Sequence, residues 1–375
     1  MDPEIDPETL AALRRDPLRQ ALTGRALRSF QMAKVFSDNK AAVTSLDYDG
    51  SGTRCITTSR DESLRIYDCE RGVRAQVSYS KKYGCNLAQF TAQAGCAAYA
   101  STKINDTIRY LSCDTNQYIR YFVGHRAAVT SLQRAPDGAA GAPALLSAAM
   151  DGSVRLWDLD RPDAVCALEP PAPGSVARGG IAAAYDPSGA VVAVAVGSAE
   201  LQLYDVRELA RGPFLSAPMD RARGAAVARV QFVPPAGDCI LLAMTDGTIA
   251  ARDAFSLRPL ATLSRAEPGA HPPADPEAPV LGEMRRAFLG QNVTATPDGR
   301  AIVAGCASGG VAFWDTARVL AQDHHHHNHP GPARHLDPDG VWSGSHDGPV
   351  SACAFNPCFL ECVTGSDSLA LWTTP

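Results

Sequence analysis

The 375-residue chain carries 35 Lys and Arg against 40 Asp and Glu, a formal net charge of -5, with 45% hydrophobic and 20% charged residues. That is enough apolar material for a large packed core and excludes a wholly disordered chain. The mildly acidic balance argues against a nucleic-acid-binding protein, whose polyanionic ligand selects a strongly basic surface, so no direct DNA binding is expected.

The 11 cysteines contain no Cys-x-x-Cys pair, and several sit in apolar strand patterns, as in Cys55-Ile56 and Cys353-Ala354-Phe355. Thiols used as small buried hydrophobes imply a reducing compartment. The acidic start, Met1-Asp2-Pro3-Glu4, has no signal-peptide core, and no run approaches 18 apolar residues, so neither secretion nor a membrane partner is expected.

In chain order, residues 1–26 read as a flexible tail punctuated by Pro3, Pro7 and Pro17. Residues 27–36 read as a strand. A repeat then begins, best formed at Ala149 to Asp158, where an Asp-Gly turn feeds a strand that alternates Val154, Leu156 and ends on Trp157-Asp158. The positions equivalent to Trp157 are Tyr67, Leu111, Tyr204, Arg252, Trp314 and Trp372, which gives seven units spaced by 44, 46, 47, 48, 62 and 58 residues. The two long spacings hold a Pro-rich stretch near 265–280 and a His-rich stretch within 321–340, both expected as loop insertions.

Each unit has a short polar residue at the turn before its third strand, from Asp61 through Asp151 and Asp246 to Ser366, suited to bonding the turn's own amides. The fold expected is all-β, a seven-bladed WD-repeat β-propeller over residues 27–375. The last unit stops soon after Trp372 and lacks a fourth strand. The strand at 27–36 supplies it, because an open ring would leave two unpaired edges.

Particular stretches carry a narrower resemblance. Leu27 to Phe36, Tyr79-Ser-Lys-Lys-Tyr-Gly84, Asp106 to Ser112, Tyr118 to His125, Arg155 to Leu159, Gly212-Pro-Phe214 and Phe355-Asn-Pro357 resemble the Swd-two/WDR-eighty-two family. This is the WD-repeat subunit family shared by the COMPASS histone H3 lysine-4 methyltransferase and transcription-termination phosphatase complexes. The resemblance implies a nuclear, non-catalytic scaffold that binds a Set-one-type methyltransferase subunit, phosphatase-scaffold and termination factors, and the phosphorylated tail of RNA polymerase II. The tail, both insertions and the eroded fifth unit depart from the family pattern.

Three constellations stand out. The densest cationic and aromatic set is Tyr79, Lys81, Lys82, Tyr83, Arg109, Tyr118, Arg120 and Tyr121. Cations that neutralise phosphate beside rings that pack on proline suit a phosphopeptide surface, while the structural alternative is tyrosines filling the core under a solvated rim. His125, Ser147, Asp151 and Trp157 fit a buried hydrogen-bond chain that stabilises a blade. No Gly-x-Ser-x-Gly elbow supports reading them as a hydrolase. The contiguous histidines His324 to His327 and His329 lack the spacing of an ordered metal site, so no metal or cofactor is expected.

No enzyme is expected. The alternative function is a substrate receptor of a cullin-type ubiquitin ligase, for which Tyr204-Asp205-Val206-Arg207 weakly matches an adaptor box.

Overall fold

The structure, a computed structural model, describes residues 24–139, 141–170, 180–219, 225–265, 291–321, 333–344 and 346–375. Over these residues the strands form seven sheets, six of four strands and one of five. Blade 1 is Val43–Tyr48, Arg54–Ser59, Ser63–Asp68 and Val73–Tyr79, and blade 2 is Asn86–Phe90, Cys96–Ala100, Ile108–Ser112 and Gln117–Phe122. Blade 3 runs from Val129–Arg134 to Ala164–Leu168, and blades 4, 5 and 6 begin at Ile181, Val227 and Val293. Blade 7 is Ala352–Phe355, Glu361–Gly365 and Leu369–Thr373, completed by Gln31–Phe36.

The repeated aromatic position lies on the third strand of each blade. Tyr67, Trp157, Tyr204 and Trp314 are wholly buried there, which is why the spacing of these residues tracks the blades. Arg252, the exception in blade 5, satisfies its buried guanidinium by donating to the Leu257 carbonyl at 2.8 Å.

Cores form between neighbouring sheets. Leu146, Val154 and Leu156 of blade 3, for example, pack on Tyr185, Val192 and Val194 of blade 4. The innermost strands are also tied side chain to backbone. Ser45 Oγ and Asp47 Oδ2 of blade 1 accept the Ala88 and Phe90 N–H groups of blade 2 at 3.1 and 2.8 Å. Ser131 Oγ and Gln133 Oε1 of blade 3 do the same for Ala183 and Tyr185. The repeated Thr-Ser-Leu-(Asp/Gln) sequence of these strands thus joins blades around the axis.

The ring closes through Gln31–Phe36, antiparallel to Leu369–Thr373, with Met32 opposite Trp372 and Phe36 opposite Leu369. Asn356 adds a latch, its Nδ2 donating to the Gly52 carbonyl of blade 1 at 2.7 Å. The closing strand is shorter than the expected 27–36. Gly24–Arg28 is a helical turn, and Leu27 and Phe30 are buried three residues apart, a helix spacing rather than a strand alternation. Ser29 N–H donates to the Ala26 carbonyl at 3.0 Å and turns the chain into the strand.

A second difference lies in 321–340, expected as an insertion. Arg334–Leu336 adds a parallel fifth strand to the outer edge of blade 5, and Gly340–Trp342 is the fourth strand of blade 6. A short excursion from blade 6 therefore covers its neighbour's edge before returning, and Trp314 Nε1 donates to the Leu336 carbonyl at 3.2 Å to hold it. The Pro-rich and His-rich segments themselves, the tail before Gly24 and His324 to His329 lie outside the described residues.

Candidate partner-docking surface

Blade 2 departs furthest from the repeat, and the departure starts at the turn that leads into it. Gly84 has a φ of +68°, and a Cβ there would lie 1.9 Å from Thr102 Oγ1, so glycine is required. The turn is pinned to the opposite loop because the Tyr83 carbonyl accepts the Thr102 and Lys103 N–H groups at 2.9 and 2.8 Å. Lys103 in turn pairs with Glu62. These bonds fix Lys81, Lys82 and Tyr83 on the rim.

Arg109 is the centre of the set. Its guanidinium carbon lies 3.5 Å from the centroid of the Tyr83 ring, 5.1 Å from that of Tyr121 and 5.6 Å from that of Tyr118. Its Nε donates to Ser101 Oγ at 2.9 Å. Lys81 lies over Tyr79 and Lys82 over Tyr83, at 5.6 and 5.1 Å. A hydrogen bond from Lys82, together with its charge, holds the Tyr83 phenol below its ordinary range. Tyr118 and Tyr121 contact each other at 5.5 Å between centroids and are exposed at 43% and 45%. Arg120, between them in sequence, alternates to the other side of the strand with Phe122, which packs toward Trp157 of blade 3. The structure therefore brings seven of the eight sequence candidates together and places Arg120 apart.

Blade 1 shows what is unusual about Arg109. Arg65 holds the same strand position, is equally buried, and is paired to Asp61 at 3.0 Å and to Asp38 at 3.8 Å. Burial pushes the Asp61 carboxyl upward, but bonds from Arg65 and Ser63 outweigh it and hold the group well below the carboxylate range. Arg109 has tyrosine faces and a serine instead, and among the described residues no carboxylate pairs with it.

Beside it, a cleft of about 140 Å³ opens between blades 1 and 2. Leu64 and Leu111 form its floor, and Ser78, Tyr99, Asn116 and Tyr118 its walls. Tyr99 was not among the sequence candidates. It is fully buried, bonded to Tyr118 Oη at 2.8 Å and to Ser80 Oγ at 3.1 Å, and so fixes one of the exposed rings. In sequence it stands among Ala97, Ala98 and Ala100, a pattern that carries no signal of a docking surface.

In blade 3, His125 Nε2 is 2.7 Å from Ser147 Oγ, which also accepts Trp157 Nε1–H at 2.8 Å, and His125 Nδ1 is 3.2 Å from Asp151 Oδ2. Burial acts to raise the Asp151 pKa, yet bonds from His125, Arg126 and Ser153 hold it well below the usual range. Ser147 is wholly buried and shared by two partners, which leaves no path to a substrate. A second chain of this kind escaped the sequence reading. His346 lies 2.9 Å from Thr364 Oγ1 and 3.0 Å from Ser368 Oγ, and Trp372 Nε1 donates to Thr364 at 2.9 Å. Its signal was the His-Asp-Gly before blade 7, hidden because serine replaces the acid.

Arg207 lies in a 3-10 turn, Val206–Arg211, at the rim of blade 4 and is doubly bonded to Asp205 at 3.1 and 2.9 Å. Among the described residues, no three His, Cys, Asp or Glu side chains group as a metal site, and no helix is long and apolar enough to cross a membrane.

Seven blades, six of four strands and one of five, with His-Ser/Thr-Trp chains bracing two of them, define a WD-repeat propeller. The family model "WD domain, G-beta repeat" matches residues 30–68 and 116–158. The chain is 31% identical to WD repeat-containing protein 82 of Drosophila melanogaster over 353 residues, 94% of this chain and 96% of that protein. It is 29% identical to COMPASS component SWD2 of Saccharomyces cerevisiae over 92% of this chain and 95% of that one. It is also 35% identical to Set1 complex component swd2 of Schizosaccharomyces pombe over 53% of this chain and 54% of that one. The chain belongs to the family of WD repeat-containing protein 82 and Swd2.

Proposed function

We propose that this protein is a non-catalytic scaffold subunit of a nuclear, COMPASS-like histone H3 lysine-4 methyltransferase complex, where it binds a Set1-type catalytic subunit. Likeness to two Swd2 proteins named as components of that complex supports the assignment. We also propose that the blade 2 rim, Tyr79 to Tyr83 with Arg109, Tyr118 and Tyr121, takes a phosphorylated, Tyr- and Pro-containing segment such as the RNA polymerase II tail, and so links the complex to termination factors. The observation that carries this part is the Arg109 guanidinium, held between tyrosine rings with no carboxylate among the described residues to neutralise it. A phosphate would supply the missing charge, and the neighbouring rings the apolar contact.

Titration of a fluorescent phosphopeptide repeating the polymerase-tail sequence tests the rim. Wild type binds, and Lys81→Glu/Lys82→Glu loses at least tenfold in affinity. Equal affinity for the phosphorylated and unphosphorylated peptides removes the rim from the reading and leaves the scaffold assignment standing. Arg207 is committed to Asp205, and no observation favours the ubiquitin-ligase reading.

A further inference from the structure

A pair of rings recurs at the blade interfaces, one on the fourth strand of a blade and one on the third strand of the next. Phe36, opposite Leu369 in blade 7, meets Tyr67 of blade 1 at 4.7 Å between centroids. Phe122, opposite Ile108 in blade 2, meets Trp157 of blade 3 at 5.5 Å. Trp342, opposite Val311 in blade 6, meets Trp372 of blade 7 at 5.4 Å. The third-strand member is in each case the repeated aromatic position, and such tilted pairs stabilise an interface beyond the area they bury.

Between blades 1 and 2 neither position holds a ring. Ser78, opposite Leu64, stands at the fourth-strand position and Leu111 at the third-strand position. Both line the cleft beside Arg109, which therefore lies where the other interfaces have their ring pair. Its volume of about 140 Å³ is well below the roughly 300–1,000 Å³ of a small-molecule pocket and suits a single side chain. Leu64 and Leu111 offer an apolar floor, and the rings of Tyr99 and Tyr118 offer walls. Ser78 Oγ donates to Asn116 Oδ1 at 2.7 Å, and the amide nitrogen of the exposed Asn116 has no protein partner among the described residues. A ring that carries a hydroxyl matches this lining, with its face on the leucines and its oxygen at the Asn116 donor. Positive charge flanks the cleft, since Lys81 lies 5.6 Å from the centroid of Tyr79 and the Arg109 guanidinium 5.6 Å from that of Tyr118, both lining residues. A phosphate on a neighbouring residue of the same segment meets that charge.

We propose that the cleft between Leu64 and Leu111 takes a tyrosine side chain of the partner segment, an inference that rests on the reading of the blade 2 rim as a phosphopeptide surface. The bound ring supplies the aromatic contact that Ser78 and Leu111 do not make. The cleft selects the tyrosine and the cations beside it select the phosphate, so the two preferences separate by mutation.

Two fluorescent phosphopeptides repeating the polymerase-tail sequence, one with tyrosine and one with alanine at every tyrosine position, are titrated with the full chain. Wild type prefers the tyrosine peptide by at least about tenfold. Ser78→Phe introduces the residue that blade 2 carries at Phe122, and Leu111→Trp the residue that blades 3, 6 and 7 carry at this position. Each fills the cleft, binds the two phosphopeptides alike and keeps the preference for phosphorylated over unphosphorylated peptide, with a thermal melt showing that it is folded. Equal affinity of wild type for the two phosphopeptides overturns the proposal, and the rim reading stands if the unphosphorylated peptides bind more weakly. Full tyrosine preference in both folded variants overturns it as well. A tyrosine preference that both variants abolish, without any dependence on phosphate, removes the phosphate part of the rim reading and keeps the cleft as a tyrosine site. Binding of neither peptide overturns both.

Discussion

The Phe30 ring stacks on Trp342 with centroids 4.8 Å apart and planes 4° from parallel, joining the segment before the closing strand to blade 6. Trp342 Nε1 donates to the Leu27 carbonyl at 2.7 Å, so the helical turn before the closing strand is clamped to blade 6 as well as leading into blade 7. Closure of the ring therefore depends on packing as much as on strand pairing. Phe30→Ala is expected to cost about 3 kcal/mol, the usual scale for emptying a buried aromatic site. Urea denaturation checks it. Deletion of 27–36 leaves Leu369–Thr373 without its partner and is expected to abolish soluble, monomeric folding.

The two buried arginines at one strand position predict costs of different size. Arg65→Gln strands Asp61, with Asp38 beside it, and is expected to cost about 3–5 kcal/mol, as for breaking a buried pair. Arg109→Gln loses the cation–ring contacts and the bond to Ser101, about 1–2 kcal/mol, and leaves no acid behind. Thermal melts of the two variants separate the cases.

The bracing chains predict a pH dependence. Burial holds His346 below the ordinary histidine range, against the weaker opposing pull of Asp347 and Asp367. The folded protein therefore keeps this ring neutral while the unfolded chain protonates it near pH ~6.5. Its contribution is complete above that pH and is lost as pH falls below it. Asp151, depressed when folded, adds a second loss only below pH ~3.9. Denaturation midpoints at pH 7.5 and 5.5 should converge in His346→Gln relative to wild type.

Asp47 runs the other way. Burial pushes its carboxyl up to about 7, against the Phe90 N–H and the charges of Arg134 and Arg229. A folded pKa above the unfolded one means stability is greatest below pH ~4 and falls as pH rises toward 7. Asp47→Asn keeps an acceptor for Phe90, as Gln133 does for Tyr185, and removes that fall. It is expected to raise stability at pH 8 by on the order of 2–4 kcal/mol, measured by chemical denaturation.

The architecture was legible because each blade repeats one buried position, and Trp157, Trp314 and Tyr204 kept the letter or its size. Ring closure was legible from a missing strand at one end and a spare one at the other. The helical turn at Gly24–Arg28 was not, since the run from Leu27 to Phe36 reads as one continuous strand and the three-residue spacing of Leu27 and Phe30 takes its meaning only once Trp342 is in place beside them. Nor was the added strand at Arg334–Leu336, because three residues show no periodicity of their own. At the rim, the sequence places tyrosines and cations near one another, but only the fold puts Arg109 between three rings and turns Arg120 away. Tyr99 and the His346 chain depend on partners 18 or more residues distant, which local pattern does not connect.

The scaffold assignment is tested most directly by purifying the tagged full chain from nuclear extract of its own cell and identifying what accompanies it. A Set1-type methyltransferase subunit is expected in stoichiometric amount, with histone H3 lysine-4 methyltransferase activity in the eluate. Recovery of the folded protein without that subunit or that activity contradicts the account.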